Sequence, residues 1–125
     1  EPNACAAGAT AAAFGKGGGW LDELRAYLAE NKRLVREYVS GGIPGAHAVT
    51  SHATYLVWID VSRITDDSAY LASFIREKTG LYLSDGSRYR GDGRRFLRLN
   101  AACPRSVLED GLARLERGLR LYGER

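Results

Sequence analysis

Arg95-Phe96-Leu97-Arg98-Leu99-Asn100-Ala101-Ala102-Cys103-Pro104-Arg105 is the stretch from which the fold is best read. Its first six residues predict a strand, because apolar and polar side chains alternate with a period of two. The alternation sends Leu97 and Leu99 to one face and Phe96, Arg98 and Asn100 to the other. Pro104 suits the first turn of a helix, where a missing N–H costs nothing, and Glu109 and Asp110 fall in its early turns. Leu108, Leu112, Leu115 and Leu119 form the buried stripe of that helix, and Gly123 closes it.

Upstream, Leu81-Tyr82-Leu83 predicts a brief strand running into a loop over 84–94. Asp66 or Asp67 can cap a helix that carries Tyr70, Leu71, Phe74 and Ile75 and ends at Gly80. Two further strands are expected over 47–50 and 54–60. In the second, Tyr55, Val57 and Ile59 face one way while Leu56 and Trp58 face the other. Both faces are apolar, so both call for cover.

A helix from Trp20 is the most regular element. Leu21, Leu24, Leu28, Val35, Tyr38 and Val39 recur at helical spacing, with Tyr27 and Leu34 widening the stripe. Arg25, Glu30, Lys32, Arg33, Arg36 and Glu37 are assigned to the wet side, and the helix should stop at Gly41-Gly42, before Pro44. Residues 1–19 are rich in Ala and Gly. Ala content favours a helix over 4–14, but almost nothing there is large enough to dock it. The order α-β-β-α-β-β-α, without repeat, predicts an α/β small domain of the α+β kind. Its sheet is expected to be mixed and partly antiparallel, of about four strands, with helices on one face.

Composition narrows the functional classes. At 125 residues the chain is one domain, and no apolar run approaches the roughly 20 residues that span a bilayer. Cys5 and Cys103 fit neither a zinc site nor a dense disulfide framework, which points to a reducing, cytoplasmic setting. Net charge is +3, too small an excess to argue for a nucleic-acid or membrane partner. There is no methionine and hence no initiator, so an excised piece of a longer chain is expected, a removed leader being the alternative.

Arg98 is the candidate functional residue. A guanidinium in mid-strand between apolar neighbours is costly to bury unless an anion meets it. Two readings are open: a structural ion pair with an Asp or Glu, or bidentate capture of a ligand carboxylate, which Arg does better than Lys. Arg88, Arg90, Arg94 and Arg95 surround Tyr89 in one loop, a pattern that can track a phosphate backbone but is ordinarily a solvated loop. The embedded Arg90-Gly91-Asp92 is attributed to chance. Gly15-Lys16-Gly17 is no phosphate loop, since Thr10 stands where a glycine is required and Gly17 follows the lysine. His47 and His52 have no nucleophile in an evident setting and are assigned no role.

Several phrases together resemble a known family. They are Pro2-Asn3 before an Ala-rich helix, Trp20-Leu21-Asp22-Glu23-Leu24, Thr54-Tyr55-Leu56-Val57-Trp58-Ile59-Asp60, Leu83-Ser84-Asp85-Gly86-Ser87, and the phrase from Arg98 to Arg105. The chain resembles the C-terminal domain of pyridoxal-phosphate enzymes of aminotransferase fold type I, specifically the cystathionine β-lyase branch. The resemblance covers nearly all of the chain but only about the last third of a family member.

The resemblance implies that Arg98 binds the α-carboxylate of an amino-acid substrate. The implied reaction is α,β-elimination, giving a thiol, pyruvate and ammonia. It implies pyridoxal phosphate in the full-length enzyme and none bound to this fragment, because the cofactor lysine lies upstream. Lys16, Lys32 and Lys78 match no such setting. Catalytic, cofactor-binding and metal residues are therefore expected to be absent from the fragment, which should be inactive alone. Residues 1–19 would join 20–125 to a missing N-terminal large domain, and the full-length enzyme would be a homodimer. One sheet face would lie against that large domain, so the isolated piece is expected to self-associate.

Departures from the family pattern are Ala53 for a glycine, Asp85 for a proline, and Tyr89-Arg90 for Phe-Gly. An aminotransferase of the same fold stays open, since the carboxylate arginine is shared. So does a stand-alone basic module using the 88–95 loop.

Overall fold

The structure is a computed structural model that describes residues 3–125; Glu1 and Pro2, and with Pro2 part of the Pro2-Asn3 phrase, lie outside the described residues. The Asn3 side chain accepts from the Ala6 N–H at 2.8 Å and starts helix α1, Ala4–Lys16. That helix buries no residue, and Phe14 is 92% exposed, in keeping with its lack of large apolar side chains. After Gly17 the chain continues as α2, Gly18–Gly42.

Strands β1 (His47–Ala48) and β2 (Leu56–Asp60) follow, then α3, Ser68–Thr79. Asp67 caps α3 by accepting from the Tyr70 N–H, and Gly80 ends it at φ 75°, a left-handed position that glycine takes without strain. Strand β3 is Ser84–Asp85, β4 is Phe96–Asn100, and α4 runs Arg105–Gly123 with the Pro104 carbonyl accepting its first helical bonds. The expected element order stands, with α1 added at its start.

The sheet order is β1-β2-β4-β3, and every pairing among the described residues is antiparallel. The mixed sheet expected from the sequence thus narrows to an antiparallel one. The third strand also sits later than expected: β4 pairs through Ser84 and Asp85, not through 81–83. Apolar content drew the expectation toward Leu81 and Leu83, whereas position is set by the hydrogen-bond partner across the ladder.

Val57, Ile59, Leu97 and Leu99 are buried under the helices together with Val35, Val39, Leu71, Ile75, Leu112 and Leu115. The helices cover one sheet face only. Close approach of α3 and α4 depends on Gly118, where an added Cβ would stand 2.9 Å from Ile75 Cγ1. Lys32 corrects the reading of α2. Assigned to the wet side, it is only 9% exposed, and its ammonium donates to the carbonyls of Ala53 (3.3 Å) and Thr54 (3.1 Å). The long stem lets a lysine lie along an apolar surface and deliver its charge to backbone oxygens.

Candidate functional site: an arginine on the open face of the sheet

Alternation along β4 places Arg98 on the face that the helices leave open, as the sequence predicts. It is held from both sides. Across one ladder it stands opposite Trp58 of β2, and across the other opposite Ser84 of β3. The Arg98 guanidinium donates from Nη2 to Ser84 Oγ at 3.3 Å, and its Cζ lies 4.9 Å from the centre of the Tyr89 ring. Tyr89 meets Trp58 edge to face at 5.1 Å, and Trp58 meets Phe96 in the same manner at 6.3 Å. Arg98 is half-buried in this aromatic frame and forms no ion pair with a carboxylate among the described residues.

The loop that carries Tyr89 is fastened from beneath. Gly86–Arg88 and Gly93–Arg95 each form a 3₁₀ turn. The backbones of Gly86 and Gly93 touch so closely that a Cβ on either would collide with the other's carbonyl. Asp85 is buried and accepts from the Ser87 hydroxyl and, at 2.8 Å, from Arg88 Nε. The Ser87 bond and the Arg88 charge hold its carboxyl below the usual carboxylate range, against the opposing effect of burial. Buried Ser68 at the start of α3 points its hydroxyl at the Gly93 carbonyl, 3.5 Å away.

The basic character of this loop is about half neutralised, two carboxylates standing against four arginines. Arg88 pairs with Asp85, while Arg94 and Arg95 both face Asp92, at 3.8 and 3.4 Å. Only Arg90, exposed at the tip, forms no ion pair among the described residues.

A second polar knot was not legible in advance. Asn31 of α2 is fully buried and donates both amide hydrogens, to the carbonyls of Ala101 (2.9 Å) and Cys103 (3.0 Å). Its Oδ1 accepts from Arg105 Nε at 2.9 Å, and the Arg105 N–H donates to Tyr27 Oη at 2.8 Å. These bonds fix the turn from β4 into α4, three residues past Arg98. Partners some 70 positions away in sequence leave no local pattern that could have disclosed them. Ser84 and Tyr89 were likewise missed as neighbours of Arg98, although both stand in phrases the sequence reading singled out.

The remaining candidates stay apart. Lys16 is exposed on α1, Lys32 is spent on two carbonyls, and Lys78 pairs with Glu77 at 2.7 Å. His47 stands opposite Asp60 at the sheet edge, away from Arg98, and His52 is exposed. Among the described residues no cluster of metal-ligating side chains occurs, and no helix is long and apolar enough to cross a membrane.

No protein-family model matches the chain. It is 37% identical over 117 residues to cystathionine β-lyase PatB of Bacillus subtilis, covering 94% of this chain and 30% of that protein. It is 35% identical over 120 residues to protein MalY of Escherichia coli, covering 96% and 31%. Among solved structures, OvoB superposes with a TM-score of 0.81 at 38% identity, over 95% of this chain and 30% of OvoB. A pyridoxal-phosphate-bound C–S lyase from Staphylococcus hominis, complexed with the inhibitor L-cycloserine, superposes with a TM-score of 0.84 at 30% identity, over 94% and 29%. The chain therefore spans about a third of the length of the relatives it matches. In sequence and in fold the chain thus matches one C-terminal part of cystathionine β-lyases and of pyridoxal-phosphate-bound C–S lyases.

Proposed function

We propose that this chain is the part of a longer carbon–sulfur β-lyase that holds the α-carboxylate of an amino-acid substrate, and that Arg98 takes the carboxylate. The observation that carries this is the Arg98 guanidinium, half-buried on the open sheet face with one N–H bonded to Ser84 and no acidic partner among the described residues. A planar fork of that kind matches a carboxylate through two parallel hydrogen bonds. Its task is orientation: a substrate fixed by its carboxylate presents the neighbouring carbon in one geometry.

Pyridoxal phosphate supplies the electron sink for such eliminations when bound. The residues present do not fit that group, since it needs a lysine amine, and the three lysines are on an exposed helix, capped by carbonyls, or paired with Glu77. Cofactor chemistry is therefore assigned to the part of the enzyme outside this chain, an N-terminal large domain. Residues 1–19 lead towards that domain, which covers the face bearing Leu56, Trp58 and Phe96, and the complete enzyme forms a homodimer. The isolated chain is inactive.

The test is turnover of L-cystathionine by the chain alone, and by the chain joined behind the upstream two thirds of the Bacillus subtilis relative. Pyruvate and thiol from the fusion, none from the chain alone, and a loss of about a hundredfold or more in kcat/KM for Arg98→Met would support the reading. Transfer of the amino group to a keto acid would make the enzyme an aminotransferase. Pyruvate from the chain alone would overturn the need for the missing part.

A further inference from the structure

An arginine side chain left to swing must lose its rotamer freedom when it binds, and that loss subtracts from affinity. Arg98 is not left to swing. The Tyr89 ring lies against its guanidinium, 4.9 Å from Cζ, and consumes none of its N–H groups. Ser84 takes one of them. Of the five donors of a guanidinium, four remain without a protein acceptor among the described residues.

The position of Tyr89 is itself dictated. Its N–H donates to the Gly86 carbonyl at 2.9 Å, closing the first 3₁₀ turn. That turn is pinned by the Gly86–Gly93 contact and by Asp85, which holds Ser87 and Arg88. On the other side the ring abuts Trp58 at 5.1 Å. The ring is thus met by Trp58 on one side and tethered through its backbone to a fixed turn, while 38% of Tyr89 stays exposed.

We propose that Tyr89 is a positioning residue for Arg98: it holds the guanidinium between its ring and Ser84 so that the remaining edge faces the substrate carboxylate. This rests on the carboxylate reading of Arg98 given above. It also makes the 86–93 loop part of the binding apparatus rather than a solvated excursion.

The experiment uses the fusion described above, in which the upstream part covers the open face, as the parent chain; it is labelled with ¹⁵N-arginine, and the Arg98 Nε–Hε signal is read by NMR, assigned through its loss in Arg98→Met. The Hε should lie upfield in the parent chain and in Tyr89→Phe, as a proton against a ring face does. It should return to the ordinary position in Tyr89→Leu, which keeps the bulk without the ring. Acetate, titrated against chloride at constant ionic strength, should shift the same signal, with affinity weakened about three- to tenfold by Tyr89→Leu and preserved by Tyr89→Phe. An Arg98 signal and acetate response unchanged in Tyr89→Leu would overturn the role of Tyr89 while leaving the carboxylate reading standing. A ring-dependent Hε shift with no acetate response in the parent chain would instead support the Tyr89–Arg98 coupling and overturn the carboxylate reading.

Discussion

The ammonium of Lys32 donates at 3.1 Å to the carbonyl of Thr54, the one non-glycine residue among those described with a positive φ, 59°. A left-handed threonine costs on the order of 1–2 kcal/mol, because its Cβ crowds the backbone. Lys32 also binds the neighbouring Ala53 carbonyl, so one buried cation gathers both oxygens of the strained turn that leads into β2. Lys32→Met keeps the stem and removes the donors. We expect it to lower unfolding stability by about 1–3 kcal/mol, read as a shift in the urea midpoint at neutral pH. An unchanged midpoint would mean the turn stands without the ammonium.

Asn31 should be dearer still. Replacing it with leucine keeps the branched shape at a larger volume but strands the Ala101 and Cys103 carbonyls and the Arg105 guanidinium. A loss of about 2–4 kcal/mol is expected in the same urea experiment. Amide exchange at the start of α4 should quicken at the same time, since the knot holds that turn.

Asp85 contributes to the acid limb of stability. Its carboxyl titrates below the usual range in the folded chain, chiefly through the Ser87 hydroxyl. The unfolded chain therefore binds more protons in the window between the folded value and an ordinary aspartate at about 3.9. The sign follows: the contribution is complete above that ordinary value and is lost as pH falls through the folded one. Asp85→Asn should be less stable than the parent at neutral pH, and the gap should narrow on acidification below about pH 4. Urea midpoints collected from pH 7 down to 3 would show it; parallel curves would mean the carboxylate is not held as described.

Gly118 tests the helix layer. In Gly118→Ala the new Cβ meets Ile75 Cγ1 at 2.9 Å and Cγ2 at 3.2 Å, so α3 and α4 must separate slightly. Gains in helix propensity of up to about 1 kcal/mol oppose an overpacking cost of about 1–3 kcal/mol. Net destabilisation of roughly 1 kcal/mol is expected, and pairing the change with Ile75→Val should recover part of it.

What could be read without the structure was what local rules govern. Leu97 and Leu99 are buried and Arg98 is turned away, because a two-residue period admits no other arrangement once one face is apolar. Asp67 and Gly80 bound α3 where capping chemistry puts them. Lys32 was misassigned because an isolated lysine on a helix is usually wet, and only the distant carbonyls of 53 and 54 make its burial tolerable. The same holds for the surroundings of Arg98. Its position was legible from six residues, but Ser84 and Tyr89 reach it through strand pairing and a folded-back loop. Asp85, standing where the resembled family has proline, restrains the loop by hydrogen bonds instead of by a ring.

β4 lies inside the sheet, laddered on one side to β2 and on the other to β3. Moving Arg98 would require breaking two sets of backbone bonds, whereas moving Tyr89 requires only a different loop between two glycines. Arg98 is thus met by one fixed neighbour, the ladder, and one replaceable neighbour, the loop: residues 87–92 can be rewritten while the strands are left alone.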